Sequence, residues 1–359
     1  MKIQEIHIED YKIFKDFKID FADNGEPLDI IVVAGINGSG KSSLLEFIAI
    51  PYFSLKGKNK IVRKGFSPIH KENIQTETRA NPLNEGQIIV NSETYDRKEF
   101  TSRDKTIFLK PCENNTNSST KAIIQYIDKL IYEKDKKSSE VYEIVREKLN
   151  NIFLDFDLQV EFNLLDKDRN IFFKNKKSER IPISQLSGGE KELITKAFTL
   201  YVSDIKNKII LIDEPESSLH PNWQNRILKI YEDFAKENNN QIIIATHSPH
   251  IIASAKKESL RLLVKKGDRI EVISDFDGSY GYEVQKVLLE IMNLESLRIP
   301  GIDKKIDTLY ELVHNNEYNT DKFKKLMNEL ESLLGKNDKD LMLMRLEIAK
   351  RKKMDEKNK

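Results

Sequence analysis

The chain has one cysteine, Cys112, and one tryptophan, Trp223, in 359 residues. A single thiol excludes an internal disulfide framework and a cysteine-built zinc site, and it suits a reducing compartment. Neither sign of charge is in excess: 33% of residues are charged, yet the net charge is +1. Broad electrostatic attraction to nucleic acid is therefore not expected, although local basic patches remain compatible with it. No window approaches the roughly eighteen apolar residues of a membrane span. The start, Met1 to His7, lacks the apolar stretch of a secretory signal, so the expected location is the cytoplasm. Histidine is also scarce, with six residues and no cluster of them. The length allows one large domain or two moderate ones.

Against those absences stands one dense stretch, Gly35-Ile36-Asn37-Gly38-Ser39-Gly40-Lys41-Ser42. It matches the phosphate-cradling pattern G-x-x-x-x-G-K-[ST] at every fixed position. The apolar run Ile30 to Ala34 before it reads as a strand buried on both faces. Leu44 to Ile48 after it can open a helix. Strand, glycine-rich turn and helix N-terminus together aim backbone N–H groups at one point, and such a point binds phosphate. Asn37, Gly38, Ser39, Gly40, Lys41, Ser42 and Ser43 are the expected nucleotide contacts. Lys41 reaches the β- and γ-phosphates, and the Ser42 hydroxyl ligates Mg²⁺.

Around this stretch the chain alternates between strand and helix periods. Residues 2–9 read as a half-buried strand, 17–21 as a second, and Asn24-Gly25 as a turn. Residues 56–85 are polar and read as loop, with strands at 87–91 and 106–110. Residues 111–120 read as a solvated loop. Helical spacing covers 121–133 and 140–149, and a β-hairpin covers 160–164 and 171–173. Helices at 189–205 and 223–235 alternate with strands at 209–212 and 242–245, before an edge hairpin at 260–264 and 269–273. The expected fold is α/β: a P-loop domain over residues 1–275, with an antiparallel β subdomain and a short helical insertion within 43–186. Four amphipathic segments then predict a small helical domain over 278–359, ending in a charged, solvated tail.

The strand Ile209 to Ile212 ends in Asp213-Glu214, the arrangement known as Walker B. A buried parallel strand delivers both acids at its carboxyl edge, where ligands sit in open α/β sheets. Asp213 is the expected Mg²⁺ ligand, and Glu214 the group that polarises the water attacking the γ-phosphate. Leu186-Ser187-Gly188-Gly189-Glu190 opens a further helix, with N–H groups free to meet an anion. Letter for letter it resembles the signature of ABC-type ATPases. That resemblance implies that Ser187, Gly188 and Gly189 close over the ATP held by a second copy. It also implies that His247, in Ala245-Thr246-His247-Ser248-Pro249-His250, is the switch histidine facing the γ-phosphate. The glutamine that links Mg²⁺ to conformational change in this family has three weak candidates, Gln75, Gln87 and Gln125.

Asp213-Glu214-Pro215-Glu216-Ser217-Ser218-Leu219-His220-Pro221 resembles the RecF/SMC/OLD branch rather than transporter subunits, as does Tyr11-Lys12-Ile13-Phe14-Lys15-Asp16-Phe17. The strand-end acids of a Toprim nuclease, the histidines of an HNH nuclease and a long coiled coil are all missing. No nuclease activity is expected in this chain. The stretch Tyr280 to Met292 with Arg298-Ile299-Pro300 is similar to the tail of Septu-type and retron-associated anti-phage ATPases. The resemblance implies an ATP- and Mg²⁺-dependent homodimer that regulates a separate nuclease or retron effector. The alternatives are a repair ATPase that binds duplex DNA and, less favoured by Glu216 to Pro221, a transporter subunit.

Overall fold

The computed structural model describes residues 2–49, 60–67, 70–79, 85–90, 93–96, 106–109, 116–203 and 205–357. Cys112 and the first half of the expected loop at 111–120 lie outside them. The described chain forms two compact units that divide between Val287 and Leu288. No helix among the described residues is long and apolar enough to cross a membrane.

A six-stranded sheet organises the first unit. Its spatial order is Thr106–Leu109, Ile209–Asp213, Gln241–Thr246, Ile30–Ala34, Leu260–Lys266 and Arg269–Ile273. The first five strands are parallel, and the last pairs antiparallel at the edge. Burial on both faces explains the unbroken apolar runs. Ile31, Val33, Ile209, Leu211, Ile243 and Ala245 share one core with Leu44, Leu45, Phe47 and Ile48 of the P-loop helix, Lys41–Ala49. The same core takes in Ile6, Ile8, Phe14, Phe17 and Phe21. The P-loop helix is thus packed between the parallel sheet and a second, antiparallel sheet. That second sheet has the order Phe14–Asp20, Ile3–Tyr11, Glu85–Val90, Glu93–Asp96. The Gln241 amide holds the two together, donating to Ile3 O at 2.8 Å and accepting from Ile3 N at 2.7 Å.

Local rules account for most boundaries. Ile3 and Ile6 are both fully buried although three apart, because a register shift between Ile3 and Glu5 lets the strand return to the same face. Asn24 and Gly25 both have positive φ, 49° and 84°, and join a two-residue hairpin that pairs Asp23 with Glu26. The polar segment expected as loop at 56–85 instead contains an antiparallel ribbon, Lys60–Ser67 with His70–Arg79. Ladder pairing needs only backbone groups, so polar side chains did not prevent it. The helix expected from residue 121 already begins at Thr116, inside the expected loop, and Lys129–Glu133 continues it as a π turn. The helix Ser138–Ile152 backs a three-stranded sheet, Val160–Leu165, Ile171–Asn175 and Arg180–Pro182, whose third strand carries no apolar alternation. Tyr142 and Arg146 of that helix donate to Leu165 O and Phe162 O.

The second unit holds three helices, Pro300–His314, Asp321–Leu334 and Lys339–Lys357. Their shared core contains Leu309, Leu312, Phe323, Leu330, Leu341 and Met344. The charged end is not an extended tail. The last helix runs to Lys357, and Arg351 donates to Glu347 at 2.8 Å and to Asn316 Oδ1 at 2.9 Å. Asp338 accepts from the N–H groups of Asp340 and Leu341 at the start of this helix, and both Asp338 and Asp340 bind Arg298 at 2.7 Å.

Candidate functional site

Three turns converge at the carboxyl edge of the parallel sheet. Thr246 is in register with Ala34, and Asp213 with Ala245. The strand Gln241–Thr246 lies between the P-loop strand and the Asp213 strand. The chain after Ala34, after Asp213 and after Thr246 therefore emerges side by side, which brings Lys41, Asp213, Glu214 and His247 to one place.

In the P-loop, Gly38 has φ +80° and open space where a Cβ would stand. Gly40 has φ +99°, and a Cβ there would come within 2.8 Å of Ile13 Cδ1 and Phe14 Cζ. Gly40 thus serves close packing against the N-terminal strand as well as turn geometry, while Gly38 keeps the rim of the loop clear. Lys12, in the turn between the first two strands, pairs with Glu46 of the P-loop helix. Lys41 is buried, and its Nζ donates to Gly35 O at 2.8 Å and Ile36 O at 3.0 Å. An ammonium has three donors, so one remains for a ligand. Burial pulls the Lys41 pKa down, against the opposing charges of Glu214, Asp213 and Glu216. Asn37 and Ser42 are exposed, and Ser43 is half-buried on the first turn of the helix.

Asp213 is buried and its carboxyl is pushed up by burial, with a hydrogen bond from Ser42 acting the other way. Among the described residues, its Oδ1 and the Ser39 hydroxyl are both buried without a partner. Buried polar atoms are nearly always bonded, so Asp213 Oδ1 marks a polar seat beside Lys41 and Ser42. A phosphate with a hard divalent cation fits that donor set: one carboxylate, hydroxyls and one ammonium.

Glu214 has a left-handed backbone, φ 46°, and its N–H donates to Ala245 O at 2.8 Å. Such a conformation costs a non-glycine residue of the order of 1–3 kcal/mol and clusters at functional sites. Its Oε1 lies 3.1 Å from His247 Nδ1. His250 stands apart: its Nδ1 meets Asn225 Oδ1 at 3.1 Å, and burial lowers its pKa.

Ser187 caps the helix Gly188–Val202 in a capping box, accepting from Glu190 N at 3.2 Å while Glu190 Oε2 accepts from Ser187 N at 3.2 Å. Ser187 and Gly188 are exposed. Gly189 is held closely: a Cβ there would lie 3.1 Å from Ser218 O and 3.2 Å from the Trp223 ring. The indole donates to Phe156 O at 2.9 Å, so Trp223 braces the signature turn and the helical insertion together. Leu219-His220-Pro221 also has a structural task. His220 Nδ1 accepts from Asn222 N at 3.3 Å, and Pro221 occupies the first turn of the helix Pro221–Glu237.

Two participating residues were not picked out as site residues in the sequence. Glu216 served there only as a branch marker and Thr246 only as a neighbour of His247, yet the Glu216 carboxylate accepts from Thr246 Oγ1 at 2.6 Å and from His247 N at 3.1 Å. The signal available was a third acid two residues after Glu214, too close to a strand end to be an ordinary solvated turn residue. Of the glutamine candidates, Gln125 is exposed on the helix Thr116–Asp128, while the side chains of Gln75 and Gln87 lie outside the described residues.

A family model described as "AAA domain, putative AbiEii toxin, Type IV TA system" matches residues 55–253. The chain belongs to this family. A second model, described as "AAA domain", matches residues 1–62 and so takes in the P-loop of this AAA-family chain. Among curated proteins, it is 30% identical over 191 residues to "Retron Ec83 probable ATPase" of Escherichia coli, covering 49% of this chain and 34% of that protein. It is 23% identical over 375 residues to "Septu protein PtuA" of Bacillus mycoides, covering 91% of this chain and 50% of that protein. These names bear out the resemblance to defence-associated ATPases. The chain spans half the length or less of these relatives. Among solved structures, the SMC head bound to the C-winged helix domain of ScpA aligns with a TM-score of 0.49 at 19% identity, over 76% of this chain and 98% of that one. The strand order, the P-loop and the family model together make this an α/β P-loop ATPase fold.

Proposed function

We propose that the chain binds ATP with Mg²⁺ and hydrolyses it at a composite site built by two copies, and that the resulting closure governs a partner effector in anti-phage defence. The observation that supports this most is the convergence of Lys41, Ser42, Asp213, Glu214 and His247 at one sheet edge, with Asp213 Oδ1 left unpartnered there. Asn37 to Ser43 would cradle the phosphates, with the free Lys41 donor on the β- and γ-oxygens. Ser42 and Asp213 would hold the cation, which supplies neutralisation of charge on those oxygens. Glu214 takes the proton of the attacking water, and His247, already against Glu214, orients it. These groups act by preorganised electrostatics rather than covalent chemistry.

The second half of the site would come from Ser187, Gly188 and Gly189 of the other copy. The exposure of Ser187 and Gly188 and the packing of Gly189 against Trp223 support that arrangement. The Septu and retron relatives, together with the tail that resembles theirs, favour a separate effector of nucleic-acid chemistry as the partner.

The test is ATP turnover by the purified chain with Mg²⁺, read alongside its mass in solution with and without nucleotide. Mg²⁺-dependent phosphate release and an ATP-dependent dimer support the reading. A monomer that turns over ATP at the same rate at every protein concentration overturns the composite site. Co-purification from the native host, followed by identification of the captured chain, tests the effector: a nuclease or reverse transcriptase supports it, and a membrane permease overturns it.

A further inference from the structure

We propose that Glu216 is a positioning residue that sets where the His247 imidazole stands, acting through one carboxylate oxygen. The proposal rests on the ATPase reading above. Glu216 Oε1 accepts from Thr246 Oγ1 at 2.6 Å and from the His247 backbone N–H at 3.1 Å. Both donors belong to the segment that carries the switch histidine. The same oxygen lies 3.5 Å from His247 Nδ1, beyond the 3.1 Å of Glu214 Oε1. Glu216 therefore holds the backbone from which the imidazole springs, and Glu214 receives the ring.

The contact extends into a chain of hydrogen bonds that fixes Thr246 in turn. Its hydroxyl accepts from Ser248 N at 2.9 Å, Ser248 Oγ donates to Gln224 Oε1 at 2.7 Å, and Gln224 Nε2 donates to Leu219 O at 2.9 Å. The loop after Asp213, the loop after Thr246 and the start of the helix Pro221–Glu237 are thereby locked to one another. Glu216 is 5% exposed, and its second oxygen, Oε2, is buried with no partner among the described residues. A buried carboxylate with half its capacity unused is a costly way to brace two loops. Both accepted bonds come from the segment that carries His247, so what the seat fixes is the position of that segment.

The experiment uses the full chain and three substitutions, Glu216→Ala, Glu216→Gln and Thr246→Val. Removing the acceptor in Glu216→Ala lowers kcat roughly 10- to 100-fold, as small misplacements of a reacting group do, with KM for ATP kept within about twofold. Glu216→Gln keeps an acceptor oxygen for both donors, so it restores kcat to within about threefold. Thr246→Val removes one of the two donors and gives a smaller fall, which decides the matter if Glu216→Ala does not fold. A second readout is independent of turnover. The His247 ring resonance, assigned among six histidines by its loss in His247→Ala, moves or broadens in Glu216→Ala and keeps its position in Glu216→Gln. Wild-type kcat in Glu216→Ala or Thr246→Val, or an unmoved His247 resonance in Glu216→Ala, overturns the proposal. So does a loss that Glu216→Gln fails to rescue. A wild-type chain that turns over no ATP sinks the ATPase reading instead, and the resonance still judges Glu216.

Discussion

His247 Nδ1 stands 3.1 Å from Glu214 Oε1, although the two residues follow different strands of the sheet. The contact exists because Glu214 leaves its strand in a left-handed conformation, φ 46°, and hydrogen-bonds Ala245 O of the neighbouring strand. A neutral imidazole that donates from Nδ1 to this carboxylate presents Nε2 as an acceptor on its far side. The Glu214 carboxylate and the His247 imidazole are thus set against each other by backbone geometry before any substrate arrives.

Glu214→Gln separates the carboxylate's shape from its basicity. The amide oxygen still accepts from His247 Nδ1, so the loop geometry is kept. The proton acceptor is lost, and positioned acid–base groups contribute about 10²- to 10⁴-fold. Phosphate release should fall by that order, while ATP binding persists and an ATP-bound dimer accumulates. Normal turnover in this variant would remove Glu214 as the base.

Ser187→Arg tests the other half of the site. The arginine is expected to abolish turnover by blocking closure between copies. Ser187 also caps its helix, and losing the cap costs ~1 kcal/mol. Ser187→Thr, which keeps a capping hydroxyl, controls for that. Chains carrying Ser187→Arg should regain turnover when mixed with chains carrying Lys41→Ala, because one intact composite site then forms. Turnover in Ser187→Arg alone, measured by phosphate release, would count against the two-copy arrangement.

The P-loop turn and the helix start at Ser187 were legible because each is written locally. A P-loop needs glycine, lysine and a hydroxyl at fixed spacing, and the capping box of Ser187 and Glu190 needs only two residues three apart. The parallel strands were equally visible, since burial on both faces leaves unbroken runs such as Ile209 to Ile212. The ribbon Lys60–Ser67 with His70–Arg79 was not, because polar residues mark no buried face while backbone pairing proceeds regardless. The continuation of the last helix beyond Lys350 was missed for a related reason: the anchors of Arg351, Asn316 and His314, lie on another segment, and no window of sequence contains them. Glu216 went unrecognised because its partners, Thr246 and His247, come from thirty residues further along the chain.

Gly40→Ala and Gly38→Ala distinguish packing from conformation in the P-loop. Both positions have positive φ, 99° and 80°, which costs an L-residue roughly 1–2 kcal/mol. Only Gly40 lies under Ile13 and Phe14, so its methyl adds an overpacking cost of about 1–3 kcal/mol. Urea midpoints should rank wild type, then Gly38→Ala, then Gly40→Ala. Trimming the obstruction in Gly40→Ala/Phe14→Leu should recover part of the additional loss, and equal midpoints for the two single variants would refute the packing argument.

Asp338 gives the second unit a pH-sensitive joint. Burial raises its carboxyl pKa, but the hydrogen bond and charge of Arg298 with the N–H groups of Leu341 and Asp340 outweigh this and hold it below the ordinary carboxylate range. A depressed carboxyl stabilises the fold fully above its unfolded value, about 3.9, and loses that contribution as pH falls through the lower folded value. Asp338→Asn keeps an oxygen for the helix cap but not the charge, so near neutral pH it loses up to ~1 kcal/mol of ion pairing. Asp338→Ala loses the cap as well, a further ~1 kcal/mol. Amide exchange in the first turns of Lys339–Lys357 reads this locally: at neutral pH it should be slowest in wild type, faster in Asp338→Asn and fastest in Asp338→Ala. Acid should bring wild type and Asp338→Asn together, because a protonated aspartate and an asparagine are then nearly equivalent. A wild-type advantage that persists undiminished well below the ordinary carboxylate range would show that the charge of Asp338 is not what holds Arg298.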